Sequence, residues 1–297
     1  MEFGYLHLNH LHSRRPGVMA RELEDRGFDS MWVPEHSHIP TPITSTYPGG
    51  DKLPSGYWHM MDPFVSLAMA AEATTKIKLA TGICLVLEHE LLDLAKTVAT
   101  LDALSGGRVI LGIGVGWNAE ELANARPDVP FAKRFSATRD RVAALRAAWT
   151  QDEASYQGTY DRFSPSLIFP KPANGTVSIA LGQAGPVGIR HAAEYADEWC
   201  PIDLSLVGVS GEQSVEGGVQ LFRRLLVENG RDPATVPISM FTWRRPKAER
   251  IEKLIELGVS RLVLTPPSMR VEDPDLSLDF LDECRAAIEP YVSAGSK

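Results

Sequence analysis

Two pairs of histidines have a spacing that could hold a metal ion. His10 and His12 are separated by one residue, and so are His36 and His38. Two imidazoles in an H-x-H arrangement can share a divalent ion that activates water, which is the chemistry of the metal-dependent amidohydrolases. Those enzymes take further ligands from elsewhere in the chain, so the assignment depends on the elements around the histidines.

A run of alternating glycines is the second feature that could do chemistry. Residues 109–117 read VILGIGVGW. The dinucleotide-binding pattern G-x-G-x-x-G needs a third glycine where Trp117 stands, and no Lys-Ser or Lys-Thr pair follows, as a phosphate-binding P-loop requires. Gly112, Gly114 and Gly116 therefore predict a buried strand whose C-terminal end lets another group come close to the backbone.

Length and composition indicate a globular protein with one large core. The chain has 297 residues, of which 44% are hydrophobic and 23% are charged. An α/β barrel of this length can be a single domain, and we expect one domain over residues 1–297. The net charge of −8 argues against nucleic acid or an anionic membrane as a partner.

The start of the sequence and the cysteines predict a cytoplasmic protein. Met1 leads directly into EFGYLHLNH without a basic and apolar leader. No run of about 18 apolar residues occurs that would cross a membrane. Cys84, Cys200 and Cys284 cannot all pair and have no metal-type spacing, so free thiols in a reducing compartment are expected.

Short apolar runs alternate with helical stretches along the chain. The candidate strands cover residues 3–8, 30–33, 78–82, 108–112, 177–181, 198–201, 237–242 and 261–264. The candidate helices cover residues 16–26, 62–74, 91–104, 135–149, 185–195, 214–228, 248–257 and 276–291. Strands that are almost continuously apolar are typical of a parallel sheet covered by helices. These eight alternations predict a (β/α)8 TIM barrel, with an open doubly wound sheet as the alternative.

Two segments are too long to be simple connections, and we predict insertion loops at residues 34–61 and 151–174. In a barrel, catalytic groups lie at the C-terminal ends of the strands, and here those ends contain few acids and bases. Where an amidohydrolase needs its remaining ligands, the sequence has Gly112, Gly182, Pro201 and Thr265. A metal-dependent hydrolase is therefore a remote alternative, and we expect no metal site and a bound cofactor that supplies the chemistry.

Four stretches carry a resemblance to a known family. They are GFDSMWVPEH, KIKLATGICL, TLDALSGGRVILGIGVGWNAEE, and SIALGQAG followed by AAEYADEW. In this order and spacing the sequence closely resembles the bacterial luciferase-like monooxygenase superfamily, and the nearest branch is the actinobacterial oxidoreductases that use coenzyme F420, a deazaflavin. The resemblance covers nearly the whole chain. It implies a TIM barrel with insertions that holds a flavin or deazaflavin at its mouth.

The resemblance also implies roles for individual residues. Glu35 and His36 match an acid–histidine pair that would hydrogen-bond the edge of the cofactor ring or relay a proton. Trp117 would lie beside the ring or the substrate, at a position where the sugar-phosphate dehydrogenase branch has a catalytic glutamate, so sugar-phosphate oxidation is not expected. We expect Glu120 and Glu121 to cap the following helix or to face solvent.

The cofactor-binding residues follow from the same resemblance. In similar proteins the third strand ends in a non-prolyl cis peptide that supports one face of the ring, and the matching place is Gly82–Ile83. Backbone amides after the fifth barrel strand bind the cofactor phosphate at a helix N-terminus. The residues expected at the cofactor are Thr81, Gly82, Ile83, Gly116, Asn118, Leu181, Gly182, Gln183 and Ala184.

The choice between F420 and FMN depends on a basic segment. Arg244, Arg245, Lys247 and Arg250 would suit the polyglutamate tail of F420, which FMN lacks, although such a run is also typical of a solvated helix face. We therefore predict an F420-dependent oxidoreductase that transfers a hydride to or from a small organic substrate. An FMN-dependent monooxygenase, served by a flavin reductase, is the alternative, and a non-catalytic cofactor-binding protein is a further one. Similar proteins are commonly homodimers.

The first insertion predicts the character of the substrate. It contains Tyr47, Tyr57, Trp58 and His59, which would form a lid suited to a flat or apolar molecule. The alternative is a hydrophobic cluster that only anchors the long loop.

Overall fold

The computed structural model describes residues 1–50, 52–206, 215–273 and 275–292. Eight parallel strands follow one another around a barrel in chain order. They are β1 (Glu2–Leu6), β2 (Ser30–Val33), β3 (Lys78–Thr81), β4 (Val109–Ile113), β7 (Ser178–Leu181), β8 (Glu198–Trp199), β9 (Ser239–Thr242) and β10 (Arg261–Leu264). β5 (Glu153–Gln157) and β6 (Arg162–Leu167) form a separate antiparallel hairpin.

Backbone hydrogen bonds close the barrel between its shortest strand and β9. The Trp199 amide donates to the Pro237 carbonyl at 3.0 Å, and the Phe241 amide donates to the Pro201 carbonyl at 2.9 Å. Because β1 pairs in parallel with both β2 and β10, the sheet has no free edge at the chain's first strand. The predicted TIM barrel is confirmed, and the open doubly wound sheet is wrong.

Helices cover the outside of the barrel. Their bounds are α1 (Pro16–Asp25), α2 (Pro63–Ala73), α3 (Leu91–Ser105), α4 (Ala119–Ala125), α5 (Arg134–Thr150), α6 (Pro186–Tyr195), α7 (Val215–Glu228), α8 (Ala248–Glu256) and α9 (Ser277–Ile288). Proline stands in the first turn of α1, α2 and α6, where its missing N–H leaves no bond unmade. Among the described residues, no helix combines the length and the hydropathy that crossing a bilayer requires.

Apolar side chains fill the barrel interior. They include Leu6, Trp32, Ala80, Ile110, Ala180, Cys200, Phe241 and Val263, one or more from each of the eight strands or their ends. Trp32 and Phe241 meet edge to face, with ring centroids 5.1 Å apart. The interior is therefore a packed core, which leaves the mouth at the strands' C-terminal ends as the place where this fold binds ligands. The three cysteines are buried and free, as expected.

The structure differs from the predicted elements in two places. α4 was not among the predicted helices, because it has only seven residues and too few turns for a clear apolar period. The 151–174 segment is not an irregular loop, since it contains the β5–β6 hairpin, whose partly buried side chains alternate with exposed ones over too few residues to predict a strand. In the 34–61 segment a short 3-10 helix covers Ser55–His59. Position 214, the predicted start of the sixth helix, lies outside the described residues.

Candidate functional site

A cavity of about 450 Å³ opens at the C-terminal ends of the barrel strands. Its volume lies in the range of sites that hold cofactors and drug-sized ligands. The lining residues come mainly from the connections after β2, β3, β4, β7, β8 and β9. They are Leu6, Pro34, Glu35, His36, Pro48, Tyr57, Met60, Gly82, Ile83, Leu85, Gly116, Trp117, Phe131, Arg134, Gly182, Gln183, Ala184, Gly185, Ile202, Ser205, Trp243 and Met269.

Ile83 forms one wall of this cavity, immediately after β3. The Gly82–Ile83 peptide bond is cis, as the resemblance implied. The next residue is held to β4, because the Cys84 amide donates to the Gly112 carbonyl at 2.7 Å. A Cβ built on Gly182 would lie 2.8 Å from Ile83 Cγ2, so the β7 connection also approaches the isoleucine closely. The Ile83 side chain is thus fixed between two backbone segments.

Each glycine of the run is needed for a different structural reason. A Cβ on Gly112 would lie 2.0 Å from the carbonyl oxygen of Thr81, because β3 and β4 approach closely there. A Cβ on Gly114 would lie 1.8 Å from Ile83 Cδ1. Gly116 has a φ of +74°, which favours glycine. The run therefore leaves room for the neighbouring strand, makes room for Ile83, and lets the chain turn at the mouth.

Three of the residues expected at the cofactor lie outside the cavity lining. Thr81 is buried, and its hydroxyl donates to the Gly112 carbonyl at 2.7 Å. Leu181 is fully buried in β7. Asn118 is the N-cap of α4 and accepts from the amides of Glu120 and Glu121 at 3.1 Å each. These side chains support the site from behind, whereas the remaining predicted residues line the cavity.

His36 lies in the lining and is held by a residue whose role was predicted differently. Its Nδ1 lies 2.9 Å from both carboxylate oxygens of Glu121. Glu121 was expected to cap α4 or to face solvent, but it is 1% exposed and points at the histidine. The neighbouring Glu120 does face solvent and accepts from the amides and hydroxyls of Thr44 and Ser45. The sequence alone does not reveal which of two adjacent glutamates turns inward.

Four aromatic rings lie together at the mouth. His36 is 5.1 Å from Tyr57 and 5.9 Å from Trp117, measured between ring centroids. Tyr47 is 5.3 Å from Tyr57 and 5.6 Å from Trp117, and the two tyrosine hydroxyls are 3.0 Å apart. Trp58 and His59, which were also expected in the lid, are exposed and lie outside this cluster. The insertion therefore contributes an apolar, aromatic wall that reaches the histidine.

The carboxylate of Glu35 is engaged by groups other than His36. It accepts from the Leu85 amide at 2.8 Å and from His89 Nε2 at 2.6 Å. Burial by itself would raise the pKa of Glu35, but the hydrogen bond and charge of His89 hold it below its usual value. Burial likewise opposes the charged form of His89, and the bond to Glu35 raises its pKa nonetheless. Glu35 and His36, which are adjacent in the sequence, therefore have different partners. Glu35 holds the β3 connection, whereas His36 is bonded to Glu121 and faces the cavity.

The far end of the cavity lies at the N-terminus of α6. Gly185 is the N-cap and makes no side-chain cap bond, so the first amides of the helix point outward without a partner from that residue. The Gly182 amide already donates to the Ile113 carbonyl at 2.9 Å. Of the four residues expected to bind phosphate, Gln183 and Ala184 are those whose amides lie in the lining without such a bond.

Arg134, which the sequence analysis did not single out, adds a positive charge to this end. Its guanidinium lies 3.9 Å from the centre of the Phe131 ring and donates to the carbonyls of Gly116 and Phe131 at 3.2 and 3.0 Å. Burial lowers the pKa of Arg134 from its usual value, yet a guanidinium stays charged. Within the described residues it has no carboxylate partner. The sequence signal that could have identified this residue is an arginine at the first position of α5, in the connection that follows β4.

The basic segment after β9 lies beside the mouth, where Trp243 joins the lining. Arg250 pairs with Asp203 at 2.5 Å, and Arg245 pairs with Glu283. Arg244 and Lys247 are exposed and form no ion pair with the part of the chain that the structure describes. Two of the four basic side chains therefore remain open to an acidic ligand.

The histidine pairs do not assemble a metal site of the amidohydrolase kind. The rings of His10 and His12 are 6.1 Å apart, and the His12 amide donates to His10 Nδ1. Among the described side chains, the groups close enough to share an ion are two others, Glu35 with Cys84 and His89, and His38 with Glu88 and Glu121.

Comparison with known proteins identifies relatives over most of the chain. The model of the family "Luciferase-like monooxygenase" matches residues 1–264. An uncharacterized protein of Mycobacterium tuberculosis is 35% identical over 264 residues, which cover 87% of this chain and 89% of that protein. An F420-dependent glucose-6-phosphate dehydrogenase of Amycolatopsis mediterranei is 27% identical over 180 residues, 60% of this chain and 50% of the relative.

Solved structures share the fold at lower identity. An F420-dependent secondary alcohol dehydrogenase in complex with an F420-acetone adduct superposes with a TM-score of 0.73 at 20% identity, covering 97% of this chain and 98% of the other. The FMN-bound oxygenating constituent of 3,6-diketocamphane monooxygenase from Pseudomonas putida has a TM-score of 0.62 at 18% identity, with coverage of 86% and 71%.

Proposed function

Since the chain belongs to the luciferase-like monooxygenase family, and since its relatives and structural neighbours include F420-dependent and FMN-dependent enzymes, we propose that it is an F420-dependent oxidoreductase. It transfers a hydride between the deazaflavin and a small organic substrate. The observation that carries the proposal is one cavity that combines three elements: the Ile83 wall, the α6 N-terminus with Arg134 beside it, and the His36 imidazole.

The residues present fit a phosphate-bearing cofactor with a flat ring system. Ile83 offers an apolar surface for one face of the ring. Because Gly114 and Gly182 have no side chains, Ile83 has room to hold this position. The amides of Gln183 and Ala184, the α6 dipole and the Arg134 guanidinium would hold the phosphate. Bound F420 would supply the carbon that donates or accepts the hydride.

The chain must supply the proton that accompanies the hydride. When a carbonyl is reduced, the hydride adds to carbon and a proton adds to oxygen. His36 is the group in the lining suited to give that proton or, in the reverse direction, to take it. Glu35 is directed to His89 and the Leu85 amide, so its contribution is to fix the β3 connection.

The remaining lining favours an uncharged, apolar substrate. Tyr57, Trp117, Phe131 and Trp243 supply aromatic surface, and the ionisable side chains in the described lining are Glu35, His36, Tyr57 and Arg134. With Arg134 engaged by the cofactor phosphate, the described lining offers no second lysine or arginine for a phosphorylated substrate. A small ketone, aldehyde or alcohol with a flat or apolar body fits this surface better than a sugar phosphate.

Parallel titrations of the purified protein with F420 and with FMN test the proposal. Tight binding of F420 and weak binding of FMN are expected, followed by spectral bleaching or recovery of F420 with a panel of apolar carbonyls and alcohols. The tail of F420 provides a further check, because Arg244→Ala with Lys247→Ala should weaken F420 more than FMN. A preference for FMN would contradict the proposal.

One observation favours a second candidate, an FMN-dependent monooxygenase. The phosphate end of the cavity needs no tail contact, so Arg134 and α6 suit FMN equally well. Such an enzyme would depend on a flavin reductase for reduced FMN. Oxygen consumption with reduced FMN, and none with reduced F420, would support this candidate.

We also propose that two copies associate through α2 and α3. Large apolar side chains on this face are exposed, among them Val65 (64%) and Leu104 (83%). Asp93 and Lys96 line the groove between the two helices, and a face with both charges can pair with itself about a two-fold axis. Leu104→Glu should convert a dimer to a monomer in sedimentation equilibrium, while Leu167→Glu, on the exposed hairpin, serves as the control.

A further inference from the structure

Glu121 determines which nitrogen of His36 is available to the cavity. An ionised carboxylate can only accept hydrogen bonds, and both of its oxygens lie 2.9 Å from Nδ1. A neutral His36 must therefore carry its proton on Nδ1, which leaves the Nε2 lone pair free. No hydrogen bond from a described residue reaches Nε2, and the ring lines the cavity.

A second carboxyl group lies behind this pair. One oxygen each of Glu88 and Glu121 and one nitrogen of His38 lie within 4.8 Å of one another. Groups at this separation can exchange a proton through one bridging water or after a small side-chain rotation. Glu88 follows the β3 connection, whereas Glu121 is on α4, so the contact joins two sides of the site.

The surroundings of Glu88 favour its neutral form. Burial, followed by the charges of Glu121 and Glu35, raises its pKa to about 9. Its Oε2 is buried and has no hydrogen-bond partner among the described residues. Glu35, whose charge contributes to this shift, is itself engaged by His89 and by the Leu85 amide.

The chain of groups ends near the surface. His38 is half-buried, and its Nε2 lies 3.1 Å from Nδ2 of the exposed Asn124. From solvent to cavity the groups are therefore His38, then the two carboxyl groups of Glu88 and Glu121, and then His36, which is bonded to Glu121. Every member is an imidazole or a carboxyl group, and both kinds of group can give and take protons.

We propose that Glu121 is a positioning residue that fixes the His36 tautomer, and that Glu88 and His38 connect this pair to solvent as a path for protons. The path rests on the proposed function, in which His36 gives or takes the proton that accompanies the hydride. With the cofactor and substrate covering the cavity, water cannot reach His36 from the front, so a rear path lets the histidine recover its proton state between turnovers.

The tautomer is tested by NMR on the ligand-free protein, so the result does not depend on the identity of the cofactor. In protein labelled with 15N-histidine, long-range proton–nitrogen correlations distinguish Nδ1–H from Nε2–H rings. The His36 signal, assigned by its loss in His36→Asn, is expected in the Nδ1–H form. Glu121→Gln should remove this preference, because an amide can also donate to Nδ1, and Glu120→Gln on the same turn should leave it intact. An unchanged tautomer in Glu121→Gln would overturn the positioning role.

The path is tested by the rate at which the His36 Nδ1 proton exchanges with water, because this proton faces the buried Glu121 and not the open cavity. Glu88→Gln keeps the size and neutrality of the side chain but cannot pass a proton, so exchange should slow several-fold while the tautomer is retained. Unchanged exchange in this variant would overturn the path. So would a stoichiometric divalent ion in the purified protein that is lost in Glu88→Gln, since the same groups would then be ligands. Failure of F420 to bind leaves both NMR results interpretable and counts against the proposed function alone.

Discussion

Ile83 occupies the space that any side chain at position 114 would need, since a Cβ on Gly114 would lie 1.8 Å from Ile83 Cδ1. The cavity wall after β3 and the glycine run after β4 are therefore one structural unit. Gly182 approaches the same isoleucine from the β7 connection. The position of Ile83, and with it the surface on which a ring would lie, depends on two absent side chains.

Gly114→Ala should therefore disturb the wall through Ile83. Overpacking of this kind costs about 1 to 3 kcal/mol of unfolding free energy, and cofactor binding should weaken with it. The cost should largely disappear in an Ile83→Ala background, where the clashing atoms are gone. Urea unfolding of the two single variants and the double variant measures the coupling. Additive effects would show that the two positions act independently.

Arg134→Ala should weaken binding of phosphate-bearing cofactors. A hydrogen bond to a charged group contributes about 1.5 to 3 kcal/mol, which is roughly a ten- to hundredfold change in Kd. Riboflavin, which lacks the phosphate, should bind the variant and the original protein equally. Arg139→Ala is the matched control, because Arg139 lies on the same helix but is exposed and pairs with Glu194. Equal losses for FMN and riboflavin would remove Arg134 from the phosphate site.

His36→Ala should lower turnover with an identified substrate by roughly 10² to 10⁴, the usual contribution of a general acid or base. The fold should persist, because His36 lies at the mouth and not in the packed barrel interior. Following F420 absorbance at saturating substrate measures the effect. His59→Ala, on the exposed 3-10 helix of the same insertion, should retain activity. Full activity in His36→Ala would assign the proton step to another group.

The sequence predicted the barrel well because its signals are local. Each strand and each helix can be recognised from its own apolar residues and its own end residues, without knowledge of the rest of the fold. The strand at residues 30–33, for example, has the predicted bounds. Side-chain direction is not local. The pattern GWNAEE does not reveal that Asn118 caps α4 while Glu121 turns inward, because that outcome depends on where the β2 connection places His36.

The polar contacts that each site residue makes were the other property that the sequence could not reveal. Glu35 and His36 are adjacent in the chain, but their polar contacts lie with His89 and Glu121. Arg134 was missed because its role depends on two things that the sequence does not show: it has no acidic neighbour among the described residues, and it lines the same cavity as the α6 N-terminus. Both facts involve residues far apart in the sequence, which only the closed barrel brings together.

The Glu35–His89 pair should make stability depend on pH in a defined window. Glu35 has a lowered pKa in the folded protein, so its contribution is present above its ordinary value of 4.5 and is lost as the pH falls through the folded value. His89 has a raised pKa, so its contribution is fully present below 6.5 and is lost as the pH rises through the folded value. The pair therefore stabilises the folded protein most between pH 4.5 and pH 6.5. His89→Gln should cost about 1.5 to 3 kcal/mol there and less at higher or lower pH. Urea unfolding across the pH range, with His59→Gln as the exposed control, measures the difference, and a cost independent of pH would show that the two groups are not an ion pair.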